Sequence, residues 1–268
     1  LMKVTVNGKQ YETNAQTAFD VRTELGNASD IVILNGFQIS ENHPIKEYDT
    51  LTIISKGVMP EQEELESMMM ARHTPHVHHM LKQGKVAIAG LGGLGSNIAI
   101  MLTRIGVGEL LLVDFDIVEP SNLNRQSYYI RHLGMPKTIA LQEQLKEINP
   151  FIQINTKTVK ITPNNVCELF RDFDIICEAF DKPDQKAMLV NAALEQLPSI
   201  KIVSASGMAG YESANLIRTT RPMKRLYVCG DLENAAGVGK GLMAPRVQIC
   251  AGHQANMVLR LLVGTEDI

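Results

Sequence analysis

The sequence has no apolar run of membrane-spanning length, and no signal-peptide apolar region follows its opening LMKVTVNGK. A helical span needs about 20 apolar residues, so no membrane association is expected, and the location is expected to be cytoplasmic. There is no excess of charge of either sign. A formal net charge of −3 over 268 residues gives no electrostatic reason for nucleic acid or an anionic membrane as partner. Cysteine is scarce: four residues, at 167, 177, 229 and 250, include no C-x-x-C pair, which fits a reducing compartment. The phosphate-binding loop G-x-x-x-x-G-K-[ST] is absent too. Ser96 follows Gly95 where that motif needs lysine, so cations for a phosphate must come from elsewhere. What is there, 45% apolar and 21% charged residues, is the composition of a soluble globular protein of one large or two modest domains.

The most informative stretch is 85–126, KVAIAGLGGLGSNIAIMLTRIGVGELLLVDFDIVEPSNLNRQ. Residues 85–89 form a short apolar run suited to a strand buried on both faces, and the run stops at a glycine cluster, Gly90, Gly92, Gly93 and Gly95. Residues 94–105 carry apolar side chains at helical spacing, and 109–113 read as a second buried strand ending at Asp114. This is one mononucleotide-binding βαβ unit. Its glycines allow a tight turn and leave backbone N–H groups bare at a helix start, where the helix dipole favours an anion. Asp114, at the tip of the next strand, is placed to accept a ribose hydroxyl.

Two chemistries share this glycine pattern. Gly90, Gly92 and Gly95 satisfy the dinucleotide fingerprint G-x-G-x-x-G, so on spacing alone an NAD-linked oxidoreductase stays open. The residues beyond Asp114 favour another reading. Asp116, Asn122, Asn124, Arg125 and Gln126 follow within a dozen positions, beyond the carboxyl end of the strand, where open α/β sheets bind ligands. Hydride transfer has little need of an arginine and a lysine near phosphate, whereas displacement at a phosphoryl group needs cations against the developing charge, and Arg125 and Lys137 are the candidates. Asp181, just past the apolar run 174–180, is placed to hold magnesium as a hard carboxylate ligand.

GLGGLGS at 90–96, VDFDIVEPSNLNRQ at 113–126, Lys137 after Gly134-Met135-Pro136, and Asp181 in EAFDKPDQK together resemble the adenylation domain of the ThiF/MoeB/HesA family, relatives of ubiquitin-activating enzymes. The resemblance runs from about residue 83 to the last. It implies ATP-dependent activation, with magnesium, of the C-terminal glycine carboxylate of a small β-grasp carrier protein ending in Gly-Gly, giving an acyl-adenylate and pyrophosphate. It also implies a homodimer and a possible sulfur donor protein, with thiamine synthesis as the expected pathway. In such enzymes an arginine upstream of the first strand reaches the partner subunit's ATP, a role that falls here on Arg72. A loop corresponding to CGDLENAAGVGK at 229–240, expected to be mobile, crosses the active site and in some members brings a cysteine to the acyl-adenylate, which points to Cys229. Many members carry a structural zinc on two C-x-x-C pairs; without those pairs no structural zinc is expected, and something else must hold that loop.

Residues 2–57 read as a unit of their own. A hairpin turns at Asn7-Gly8, Asn14 is expected to cap a short helix through Leu25, and 30–34 and 50–55 read as further strands. VNGKQYE, ILNGFQI and EYDTLTIISKG resemble the ThiS-like β-grasp sulfur carriers. A free carrier ends in Gly-Gly, whereas here Gly57 continues into Val58-Met59-Pro60. Residues 58–82 read as a connector: Pro60 opens a helix to Met70, and His73, His76, His78 and His79 follow without an acid or cysteine to make them a metal site. Beyond residue 126, helices are expected from Pro136, Pro163, Asp184 and Pro245, alternating with strands at 152–158, 174–179 and 201–205. The expected architecture is therefore a Rossmann-like, mostly parallel α/β sheet with helices on both faces, at 83–268, preceded by a small α+β domain. Against the enzymatic reading stands a non-catalytic nucleotide-binding regulatory module with a pseudo-carrier domain, for which Arg125, Lys137 and Asp181 would have no evident use.

Overall fold

Alternating apolar and polar residues at the start of the chain fold as a hairpin. β1 (Met2–Val6) and β2 (Lys9–Thr13) pair antiparallel across Asn7 and Gly8, both at positive φ, as a two-residue hairpin turn requires. The computed structural model describes residues 1–26 and 30–268. In α1 (Ala18–Leu25) the cap is Thr17 and not Asn14. The Thr17 hydroxyl accepts from the Asp20 N–H while the Asp20 carboxylate accepts the Thr17 N–H, a reciprocal capping box that Asn14, three residues earlier, cannot make. With β3 (Ile31–Leu34), β4 (Phe37–Ile39) and β5 (Thr50–Ile54) the sheet order is β2-β1-β5-β3-β4, where β1 and β5 run parallel and the other neighbours antiparallel. Ala18 and Val21 of α1 pack on Val4, Val32, Leu51 and Ile53 of the sheet.

α2 (Gln62–Met69) begins one residue after its cap, Glu61, so Pro60 precedes the helix instead of occupying its first position. Lys9 of β2 pairs with Glu63 and Glu64 of α2, and Arg72 donates to the Gln38 side chain at 2.6 Å. After the first connector helix the chain forms a second one, α3 (Pro75–Gln83), over residues where no helix is expected from the sequence. Contacts divide the chain within that helix, into Leu1–His79 and Met80–Ile268, so residues 58–79 group with the first unit. Among the described residues no three His, Cys, Asp or Glu side chains are grouped to hold a metal ion.

The second unit continues the α/β alternation: β6 (Lys85–Ala89), α4 (Gly93–Arg104), β7 (Glu109–Val113), α5 (Lys137–Ile148), β8 (Gln153–Lys157), α6 (Val166–Phe170), β9 (Ile175–Glu178), α7 (Pro183–Gln196), β10 (Lys201–Ala205), β11 (Arg218–Met223), β12 (Leu226–Gly230) and α8 (Ala244–Leu262). Asn165 caps α6, so the proline expected to open that helix, Pro163, lies in the turn before it. The sheet order is β11-β12-β10-β9-β6-β7-β8, parallel throughout except for β11 at one edge. From β6 the chain steps to β7 and β8 on one side, then returns to β9 on the other, so the strand order reverses between β6 and β9. Open α/β sheets bind ligands at such a switch point, beyond the carboxyl ends of the strands.

Side chains alternate across the strands and both faces are covered. Ala87, Leu111, Ile176 and Ile202 share a cluster with Phe170 of α6 and Leu189 and Ala193 of α7. The intervening Ile88, Leu110, Leu112 and Val203 are fully buried as well, on the side where α4, α5 and α8 lie. Each such side chain contributes about 1.5–3 kcal/mol. α4 approaches β6 closely: a Cβ on Gly95 would stand 1.8 Å from the Gly90 carbonyl oxygen. Gly95 is therefore a packing glycine. Gly95→Ala should lower the stability of the second unit by about 3 kcal/mol, the upper end for overpacking, read as a lower denaturation midpoint in that unit; an unchanged midpoint would contradict the close helix–strand contact.

Candidate functional site

At the switch point the structure has a cavity of about 590 Å³, within the range of small-molecule sites. Its floor is the glycine turn after β6. Gly90 sits at φ +91°, where a side chain would be strained and would also meet the Phe180 ring at 2.9 Å. Leu91 is held from both sides: its N–H donates to Asp114 Oδ2 at 2.6 Å, and its carbonyl accepts the Tyr128 hydroxyl at 2.8 Å. Burial, with Asp114 and Asp116 nearby, pushes the Tyr128 phenol well above its ordinary range, so it stays a donor. α4 then begins at Gly92 without a side-chain cap, leaving first-turn N–H groups for an anion. Ser96 does not serve as that cap, because its hydroxyl donates back to the Gly92 carbonyl at 2.6 Å.

The segment carrying Arg125 and Gln126 is tied to α4 by side chains. Asn97 donates to the Arg125 carbonyl and accepts from the Ser127 hydroxyl, and the Ser127 N–H donates to Ser96 Oγ at 3.0 Å. Arg125 donates to Asn124 Oδ1 at 2.8 Å and to the Ser121 carbonyl at 3.2 Å. Lys137, buried at the start of α5, places its ammonium 3.2 Å from Asp116 Oδ2. Asp114 spends an oxygen on each of two backbone N–H groups, those of Leu91 and Asp116.

Of the expected residues, the cavity wall gathers Gly90, Gly92, Gly93, Asp114, Asp116, Arg125, Gln126, Lys137 and Asp181. Others stand behind it or away from it. Gly95 is the packing glycine described above. Asn122 is buried with Oδ1 accepting the Glu119 N–H, so it caps a local turn, and Asn124 orients the Arg125 guanidinium. Arg72 belongs to the first unit, bonded to Gln38. Sequence reasoning missed Lys160, Lys182 and Asp184, which also line the cavity. They follow the carboxyl ends of β8 and β9, and position after a parallel strand is the signal that finds them.

Cys229 is corrected. It was expected at the edge of an open loop, but it lies in β12 with 0% exposure, beside Thr219, and burial pushes its thiol up to about 11. The loop itself is pinned. Arg246 of α8, 3% exposed, donates to Asp231 Oδ2 at 2.5 Å, to Glu212 Oε2 at 3.2 Å and to the Ala209 carbonyl at 3.0 Å. Lys240 pairs with Glu212 at 2.7 Å and bonds Asn234, which bonds Asp231. Burial alone would raise the Asp231 pKa, but hydrogen bonds from Asn234 and Glu233 and the charge of Arg246 hold it below the ordinary value. This ionic network ties 206–212 and 231–241 to α8, and Met208, Leu242 and Val247 close that side of the cavity.

Residues 66–268 match the ThiF family, and residues 2–57 match the ThiS-like ubiquitin family. The sulfur carrier protein ThiS adenylyltransferase of Bacillus subtilis is 30% identical over 195 residues, 72% of this chain and 58% of that one. The adenylyltransferase and sulfurtransferase UBA4 of Candida glabrata is 38% identical over 129 residues, 48% of this chain and 29% of that one. The sulfur carrier protein adenylyltransferase of Thermus thermophilus is 32% identical over 138 residues, 50% of this chain and 51% of that one. The chain thus spans less than two thirds of the length of each of these relatives. Among solved structures, Escherichia coli tRNA N6-threonylcarbamoyladenosine dehydratase in complex with ATP has a TM-score of 0.67 at 19% identity, covering 76% of this chain and 97% of that one. Escherichia coli MccB with ATP has a TM-score of 0.57 at 21% identity, covering 79% and 66%. At these identities the likeness is one of fold.

The burial pattern predicts thiol reactivity. Cys167 is exposed, while Cys177, Cys229 and Cys250 are buried with raised pKa values, about 11 for Cys229 and about 12 for Cys250. Iodoacetamide at mildly alkaline pH should label Cys167 in the native protein and the other three after unfolding, as read by peptide mass spectrometry. Rapid native labelling of Cys229 would contradict the buried placement.

Proposed function

The chain belongs to the ThiF family, with a ThiS-like ubiquitin domain in its first unit, and on that premise we propose that it adenylylates the C-terminal glycine carboxylate of a sulfur carrier at the expense of ATP. The observation that carries this reading is the union, in one cavity, of an uncapped helix start, the cations Arg125 and Lys137, and the carboxylates Asp114 and Asp181.

A nucleotide fits the residues present. Gly92 leaves open space where a Cβ would meet only Gln126 Nε2, at 3.8 Å, so phosphate can approach the backbone there. Gln126 Oε1 is buried without a hydrogen-bond partner and lines the cavity, an acceptor that a ligand donor would satisfy. Magnesium fits as well: Asp181 and Asp184 lie on the same wall, and one or two carboxylates plus phosphate oxygens is the ion's usual way of being held. When bound, the ion would neutralise phosphate charge.

The chain's own groups then have separate tasks. The start of α4 holds phosphate, and Asp114 accepts a ribose hydroxyl with its remaining lone pairs. As an oxygen of the carrier's terminal carboxylate attacks the α-phosphorus, the bond to the bridging oxygen breaks and its electron pair leaves with pyrophosphate. Arg125 and Lys137 face the charge that builds on the phosphate oxygens. Asn124 keeps the Arg125 guanidinium in place, and Asp116 does the same for the Lys137 ammonium.

The first unit is assigned a docking or regulatory role. Its chain runs through Gly57 into Val58, so in place of a nucleophilic carboxylate that position offers a peptide carbonyl, which cannot attack phosphorus. A ThiS-like carrier in thiamine synthesis is the favoured substrate, supported by the ThiS-like match and by the coverage of the Bacillus subtilis relative. A cytoplasmic homodimer in which Arg72 serves the partner subunit's site, and a sulfur donor protein acting after adenylylation, complete the reading.

ATP–pyrophosphate exchange with a carrier ending in Gly-Gly tests it. Asp181→Ala should abolish exchange while nucleotide binding partly survives, and Arg125→Ala and Lys137→Ala should each slow it by about two to three powers of ten, the scale of one lost preorganised partner. Near wild-type exchange in these variants would remove the cavity from the chemistry.

A further inference from the structure

Glu178, the last residue of β9, is a carboxylate with 0% exposure that lies outside the cavity. Its side chain accepts four hydrogen bonds. Lys186 of α7 reaches both oxygens, at 3.0 and 3.1 Å, Ser204 of β10 donates at 2.5 Å, and the Phe180 N–H donates at 2.7 Å. Behind them Gln254 of α8 donates to the carbonyls of Glu178 and Val203, both at 3.1 Å, joining β9 to β10 where the two strands end. Every charge in this cluster is met, but the carboxylate lies fully out of water and the Lys186 side chain keeps only 20% of its exposure; withdrawing such a pair is costly, and an apolar pair of similar volume is often as stable or more so. Stability alone therefore does not account for it.

Its place in the chain does. Glu178 and Lys186 bracket the segment 179–185, and six of those seven residues line the cavity: Ala179, Phe180, Asp181, Lys182, Asp184 and Gln185. Asp181 is exposed, so burial does not hold its carboxylate, and the backbone that carries it must. One end of that backbone is fixed by the Phe180 N–H on Glu178 and the other by Lys186 at the start of α7. We propose that Glu178 and Lys186, braced by Ser204, form a buried staple that positions Asp181 and its neighbours for magnesium-bound nucleotide. Both are positioning residues, and the inference rests on the nucleotide reading of the cavity.

The test uses the full chain and calorimetry of ATP binding with and without magnesium, so its readout is not activity. Lys186→Met should reduce the magnesium-dependent gain in ATP affinity about 10- to 100-fold, the scale for losing a partner behind a metal ligand, with a smaller loss of affinity in the absence of magnesium. Lys186→Arg should restore most of the gain. Lys186→Met alone leaves a buried carboxylate without its cation and is expected to lose stability, so the double variant Glu178→Gln/Lys186→Met serves as the second arm. Having no buried charge, it should recover thermal stability yet still lack the gain. A stable double variant that retains the full magnesium-dependent gain would overturn the staple. Asp181→Asn separates the two levels. If it abolishes the gain while the staple variants keep it, the staple alone fails; if it leaves the gain intact, the magnesium reading beneath it fails.

Discussion

The turn after β6 has to expose backbone N–H groups to a ligand and still be rigid, and the rest of the site depends on how that conflict is resolved. Glycines at 90, 92, 93 and 95 strip side chains from the turn but leave it with no packing of its own. Rigidity comes from the next strand and the segment beyond it. Asp114 takes the Leu91 N–H and Tyr128 takes the Leu91 carbonyl, so both polar groups of that peptide neighbourhood are spent within the protein, while the N–H groups at the start of α4 are left over. An anion is the natural partner for what is left. Asp114 thus does two things at once, fixing the turn and edging the cavity.

Each wall of the cavity rests on a polar cluster buried behind it. Asn97, Ser96 and Ser127 seat the Arg125 segment, Glu178 with Lys186 and Ser204 backs the Asp181 segment, and Arg246 with Asp231 backs the loop that follows β12. Two of these clusters draw on α8, through Gln254 and Arg246. That helix packs on the strands and on α4, so one rigid element supports two walls. Ion pairs and the carbonyl of Ala209 fasten the loop that follows β12, and Cys229 packs as a small buried side chain in that strand.

The second unit was legible in the sequence wherever one physical cause acted over a short distance. Short apolar runs mark the parallel strands, the glycine cluster marks the turn, and the carboxylates Asp114 and Asp181 just past apolar runs mark the cavity, while Lys137 at a helix start is legible as a phosphate cation. The cap falls on Thr17 although Asn14 is an equally good cap in isolation, because only the reach of Asp20 decides between them. α3 was missed because its histidines read as polar linker. Asn122 and Asn124 carry ligand-like side chains, yet a neighbouring N–H and a neighbouring guanidinium claim their oxygens. The pairs Glu178–Lys186 and Arg246–Asp231 join residues on different elements, and no periodicity or spacing in a single chain announces such contacts.

The first unit has the strand order and helix of a small carrier-like domain but continues as peptide beyond Gly57, whereas the second has a cavity lined by glycines, cations and carboxylates. On the proposed function the two divide form from chemistry: one unit resembles the substrate, and the other acts on it. The most direct measurement is to incubate the full chain with ATP, magnesium and a separate carrier ending in Gly-Gly, add hydroxylamine, and determine the intact masses of both proteins. Hydroxamate on the terminal glycine of the added carrier, dependent on ATP and absent from the chain itself, is the predicted result. A carrier of unchanged mass, or hydroxamate formed at Gly57 of a cleaved chain, would contradict it.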